Sequence, residues 1–239
     1  GAGEMPVYVI GVGPGGEDYV TPVARRHIMD CDLLLGNERL TRLFPRPSRE
    51  LDLKGDPPAA VQFILAQRTH LKLAVLVSGD PGLCSFLGVL SRYLGEEEYE
   101  VIPGVSSVQL AFARIKDSWQ DALIVSLHGR EEQDLAAAVE GHPKVAILTD
   151  SRWPPRKIAQ HLWEHGIRDR ELIICQDLSY PQERVVRTDI CGALSLRCPD
   201  VVLSSSKEPV EGSKGGAIGA PEEAELSVVI IREKKGCRG

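Results

Sequence analysis

Three short segments hold the residue types best suited to chemistry. Gly11-Val12-Gly13-Pro14-Gly15-Gly16 strips side chains from one turn, Ser78-Gly79-Asp80-Pro81-Gly82 offers a carboxylate, and Pro103-Gly104-Val105-Ser106-Ser107 offers hydroxyls and backbone amides. Each follows an apolar run, so each stands at the carboxyl end of an expected strand, where open α/β sheets bind ligands. Asp80 could accept hydrogen bonds from an amino or hydroxyl group of a ligand. It could equally cap the helix that follows, and spacing alone leaves both open. Ser106 reads first as an N-cap. In the second half His128-Gly129-Arg130 follows a strand; His128 could act as acid or base, and Arg130 could grip a carboxylate in bidentate fashion. His161 and His165 lie four apart on an expected surface helix, without a third ligand in view, and read as a solvated face.

Gly11, Gly13 and Gly16 also match G-x-G-x-x-G, which makes a nicotinamide-dependent oxidoreductase an alternative. That motif works by starting a helix at the glycines, so that the helix N-terminus faces a pyrophosphate. Here the helix signal comes only at Thr21-Pro22, after Glu17 and Asp18, whose charges oppose phosphate. No Gly-x-Ser-x-Gly elbow and no Walker lysine occur, so hydrolase and nucleoside-triphosphatase chemistry lack support.

These segments need a scaffold. The 239 residues suffice for one large or two small domains with real cores, and 43% hydrophobic residues favour folding. A net charge of -6 and 5% aromatics argue against a nucleic-acid surface. No run spans a bilayer and no signal peptide opens the chain, so a cytoplasmic protein is expected. Gly1 to Glu4 precede Met5 and read as an expression remnant. Cys31, Cys84, Cys175, Cys191, Cys198 and Cys237 form no Cys-x-x-Cys pair; they read as buried thiols in a reducing compartment, and no metal site is expected.

Apolar runs predict strands at residues 7–12, 31–35, 72–77, 100–102, 121–127, 145–149, 171–175, 184–187, 200–203 and 226–232. Helices are expected from Thr21-Pro22 to about Asp30 and at residues 57–68, 83–94, 106–115 and 154–165. The alternation implies α/β domains on largely parallel, covered sheets. A boundary near 116–118 divides an N-terminal α/β domain, 5–116, from a C-terminal one, 117–239. Residues 204–225, rich in Gly, Ser, Pro and Glu, read as a loop.

Taken jointly, Val7 to Gly15, Ser78 to Gly82 and Ile102 to Ser107 resemble the tetrapyrrole methylase superfamily in order and spacing. Ser106 to Arg114, Trp119 and Val125 to Arg130 narrow the likeness to the precorrin and cobalt-precorrin methyltransferases that methylate carbon 5 of precorrin-7. The resemblance spans residues 5–203 and is strongest before Arg130. It implies two α/β domains with S-adenosyl-L-methionine in an active-site cleft between them, in a homodimer. Asp80, Gly82, Leu83, Ser106 and Ser107 would bind the co-substrate. Gly11, Gly13, Pro14 and Gly15 would border the tetrapyrrole, a corrin precursor, with Arg114, Trp119 and Arg130 in contact with it. A polycarboxylate substrate needs local cations, and Arg184 and Arg187 are further candidates. His128 is the candidate base for the proton lost after transfer. Fused relatives carry a second, decarboxylating methyltransferase domain, so that activity is expected on a separate polypeptide; a stand-alone chain favours the route with cobalt already inserted. A sister methylase acting at another ring carbon is the alternative within the fold.

Overall fold

The computed structural model describes residues 5–127, 135–195 and 227–234. His128, Arg130, the expected strand at 200–203, the 204–225 segment, Cys198 and Cys237 lie outside them. Two compact units emerge. The first ends at Ala113 and takes in Leu178–Tyr180; the second begins at Arg114, leaves at Asp177 and resumes at Pro181.

The first unit runs β1 (Val7–Gly11), α1 (Pro22–Asp30), β2 (Leu33–Gly36), α2 (Glu38–Thr41), β3 (Ser48–Glu50), α3 (Pro57–Gln67), β4 (Leu73–Val77), α4 (Leu87–Leu90), β5 (Tyr99–Ile102) and α5 (Ser107–Ile115). Its five strands are ordered β3-β2-β4-β1-β5, and every pairing is parallel. Strand residues alternate between two covered faces, as the period of two requires. Val7, Val9, Leu35, Leu73 and Val75 pack with Ala60, Val61 and Ile64 of α3. Ile10, Leu34, Ala74 and Leu76 pack with Ala24 and Ile28 of α1. Local chemistry starts the helices where the sequence predicts. Thr21 Oγ1 accepts from the Ala24 amide at 3.1 Å, ahead of Pro22 at the first helical position. The Val108 amide donates to Ser106 Oγ at 3.1 Å, while Gln109 Oε1 accepts from the Ser106 amide at 2.8 Å, a reciprocal cap akin to a capping box that opens α5.

The periodicity of residues 83–94 predicts one helix, yet only Leu87–Leu90 is α-helical. Cys84 adopts φ 51, a left-handed turn that no helix accommodates, so the segment enters α4 late. The same turn leaves Cys84 exposed, and Cys191 at the start of α8 is exposed as well; only Cys31 and Cys175 among the described cysteines are the buried thiols expected. Burial raises Cys31 to about 11 and Cys175 to about 12, which keeps both protonated and unreactive.

The second unit runs β6 (Leu123–Ser126), α6 (Leu135–Gly141), β7 (Lys144–Thr149), α7 (Pro155–Glu164), β8 (Glu171–Gln176), β9 (Arg184–Asp189), α8 (Ile190–Ser195) and β10 (Ser227–Arg232). Its order is β6-β7-β10-β8-β9. Only β6 and β7 are parallel; β10 pairs antiparallel with both β7 and β8, and β8 with β9. The expectation of a parallel sheet therefore fails in this half. The last strand enters the centre of the sheet and reverses every pairing it makes. Val145, Ile147, Leu172, Ile174, Val229 and Ile231 bury one sheet face against Ile158 and Leu162 of α7 and Ile190 of α8. Among the described residues no helix is long and apolar enough to cross a membrane.

Candidate active site

The carboxyl ends of β4, β1 and β5, three adjacent strands, bring the three sequence segments together within the first unit. The Val12 amide donates to the Val77 carbonyl at 3.0 Å. Gly13 and Gly79 form an isolated antiparallel bridge, with the Gly79 amide 2.7 Å from the Gly13 carbonyl. The third loop is tied in by Asp80: its Oδ1 accepts from the Gly104 amide at 2.9 Å and its Oδ2 from the Gly82 amide at 2.8 Å. Of the two alternatives left open for Asp80, the helix cap falls away, because α4 starts only at Leu87 with Phe86 as its N-cap. The carboxylate braces two loops, and with about four lone pairs it can accept further bonds from a ligand.

The glycines serve this convergence first. A Cβ on Gly11 would lie 2.6 Å from the Gly79 carbonyl oxygen and 2.9 Å from the Gly104 amide, so Gly11 is filled by neighbouring backbone. Gly13 holds φ +79 with the Tyr19 carbonyl 2.8 Å from any Cβ. Gly15 lies against the Tyr180 ring, 2.2 Å from the built Cβ, and the Gly16 amide donates to Ser179 Oγ at 2.7 Å. Gly11, Gly13 and Gly15 thus have a structural reason to be glycine apart from the expected contact with substrate: replacing them would distort the loop itself. Pro14 is half-buried. Beside Asp80, Gly82 is exposed and Leu83 half-buried, and a Cβ on Gly82 would meet only the Asp80 carboxylate. Ser106 is buried and Ser107 half-buried.

Two of the candidate cations have partners within the protein. Arg114 is already gripped by Glu183 through Nε and through Nη2, the latter at 3.2 Å. Arg187 donates to Glu171 at 3.4 Å and to the Ile115 carbonyl at 3.3 Å. Both are partly neutralised rather than open. Trp119 is 44% exposed. Arg39 and Tyr180 also meet beside the glycine loop. Arg39 Nη1 donates to Tyr180 Oη at 2.7 Å beside Gly15, and no local motif signals a contact across 141 positions.

A concavity of about 580 Å³ in the second unit is lined by Glu171, Thr188, Asp189, Arg232 and Lys234. Its charges satisfy one another, Arg232 with Glu171 and Lys234 with Asp189, so it is an ion-pair rim rather than a receptor. Among the described residues no group of three or more His, Cys, Asp or Glu could hold a metal.

Two α/β units, one with glycine-rich loops converging at the carboxyl edge of a parallel sheet, define the two-domain methylase class. The family model for tetrapyrrole (corrin/porphyrin) methylases matches residues 6–192, and the chain belongs to that family of methyltransferases. It is similar to the cobalt-precorrin-7 C(5)-methyltransferase of Salmonella typhimurium, 35% identical over 182 residues, 74% of this chain and 87% of that protein. It is also similar to a "Probable cobalt-precorrin-7 C(5)-methyltransferase" of Methanocaldococcus jannaschii, 30% identical over 186 residues, 75% of this chain and 87% of that protein. Proteins named for other ring carbons also match. A solved precorrin-6Y methylase from Archaeoglobus fulgidus shares the fold, with TM-score 0.65 and 21% identity, covering 98% of this chain and 100% of that one.

Proposed function

We propose that the chain transfers a methyl group from S-adenosylmethionine to carbon 5 of precorrin-7 or cobalt-precorrin-7 in cobalamin biosynthesis. The single observation that carries the ring position is the 35% identity to a C(5)-methyltransferase across three quarters of the chain. A sister methylase remains the second candidate, because a C(11)-methyltransferase matches 78% of the chain, at a lower 23% identity. A homodimer, as the family resemblance implies, and a cytoplasmic location are part of this proposal.

The loop residues suit the co-substrate. Asp80 offers spare lone pairs to amino or hydroxyl groups, exposed Gly82 presents open backbone, and half-buried Leu83 supplies apolar contact. Ser107 and the buried turn at Ser106 complete the proposed set. When bound, S-adenosylmethionine supplies a sulfonium methyl that is already electrophilic. The protein's task is then alignment: the nucleophilic carbon must be held in line with methyl and sulfur at near-attack distance. The braced loops fit that task, because their backbone is fixed by amide hydrogen bonds donated to the Asp80 carboxylate and by the Gly13–Gly79 bridge. Pro14, Trp119 and Arg130 are proposed to contact the macrocycle, and His128 to take the proton released after transfer.

Asp80→Ala tests the co-substrate loop. Titration calorimetry with S-adenosylmethionine should show a loss of about tenfold to a hundredfold, the worth of a hydrogen bond to a charged group. An affinity equal to that of the native protein, in a folded variant, would remove Asp80 from the site.

A further inference from the structure

The chain leaves the second unit after Asp177, inserts three residues into the first, and returns at Pro181. Asp177 and Ser179 hold φ 48 and 74, left-handed values rare outside glycine. This strap seats Ser179 on the Gly16 amide and the Tyr180 ring on Gly15, and Tyr180 in turn receives Arg39. Asn37 Oδ1 accepts from the Arg39 amide at 2.8 Å and so fixes the turn from which Arg39 projects, just past the carboxyl end of β2.

Arg39 differs from the arginines described above. Arg114, Arg187 and Arg232 face carboxylates, whereas Arg39 is half-buried with the Tyr180 hydroxyl as its side-chain partner. Glu38, its acidic neighbour in sequence, is exposed, and among the described residues no ion pair with Arg39 is formed. A guanidinium has five donors and a phenol can donate while it accepts. Arg39 spends one donor on Tyr180; no acceptor for the Tyr180 proton is present among the described residues. A partly desolvated cation without a counter-ion among the described residues calls for an anion, and adjoining N–H and O–H donors suit a planar carboxylate.

From this juxtaposition we infer that Arg39 and Tyr180 form a carboxylate-binding subsite beside the glycine loop, which grips one acidic side arm of the macrocycle. It rests on the tetrapyrrole substrate proposed above and gives that acidic protein a local cation. Tyr180 both orients Arg39 and adds a donor; the strap positions both against the loop.

The test uses the full chain and two probes: uroporphyrin, a tetrapyrrole octacarboxylate, and the same ring with its carboxylates converted to amides. Binding is followed by porphyrin fluorescence. The native protein should prefer the acid. Arg39→Gln and Tyr180→Phe should each weaken binding of the acid about tenfold and leave the amide unchanged, as expected for a lost hydrogen bond to a charged group. Arg39→Lys should fall between, since it keeps charge and loses the fork. S-adenosylmethionine affinity and melting temperature should stay native. The subsite is overturned if the variants bind both rings as the native protein does. It is also overturned if they lose both rings equally with a lowered melting temperature, which would make the pair a brace only. A native chain that binds S-adenosylmethionine but neither ring would instead overturn the tetrapyrrole substrate, and the subsite with it.

Discussion

Gly104→Val should destabilise the protein by at least about 3 kcal/mol, the upper part of the range for overpacking a filled interior. A Cβ there would stand 2.3 Å from the Gly79 carbonyl oxygen and 2.8 Å from the Gly11 carbonyl carbon. Both obstacles are backbone, so no side chain can rotate away. The substitution would also displace the Gly104 amide from Asp80, parting the third loop from the other two. Thermal unfolding should report a melting temperature lower by roughly 6–12 °C, at 2–4 °C per kcal/mol for a chain of this size. Gly88→Ala is the control: a Cβ there meets nothing within 4 Å, and alanine favours α4. A Gly104→Val protein as stable as Gly88→Ala would show that the loops do not converge as described.

The second large effect lies in the other unit. Arg232, its side chain 5% exposed on β10, donates to Glu171 at 2.8 Å and to Asp117 at 2.5 Å. Lys144 adds a bond to Asp117 at 3.2 Å. Arg232→Met should cost about 3 kcal/mol, the low end for breaking a buried ion pair, because Lys144 and Arg187 still face the stranded carboxylates. The cluster also makes stability depend on pH. Burial raises the Asp117 carboxyl, but hydrogen bonds from Lys144 and Arg232 outweigh it and hold the group below its ordinary value. A depressed carboxylate contributes stability that is fully present above its unfolded value, about 4, and is lost as pH falls through the folded value. The gap in melting temperature between native and Asp117→Asn protein should therefore be widest near neutrality and close below about pH 4. A gap that widens on acidification would contradict this ion-pair account.

The loops on which the proposed chemistry depends were legible because local signals set them. Thr21 and Pro22 mark α1, Ser106 and Gln109 mark α5, and apolar runs ending in glycine mark β1 and β4. The glycines were legible as a turn stripped of side chains, but their packing was not: Gly15 is small because of Tyr180, which arrives from the other half of the chain. The same non-local origin hid the antiparallel second sheet, whose central strand comes last, and the Glu183 partner of Arg114. Helical periodicity overran at residues 83–86, where a single left-handed residue, Cys84, decides the backbone and carries no turn signature.

Product analysis tests methylation at carbon 5 most directly. The full chain should be incubated with cobalt-precorrin-7 and S-adenosylmethionine carrying a 13C-labelled methyl group, and the product examined by carbon NMR. One new labelled methyl on carbon 5 is the expected result, formed in amounts that follow the S-adenosylhomocysteine released. Label on a different ring carbon, or none while S-adenosylmethionine and the macrocycle are both bound, would contradict it.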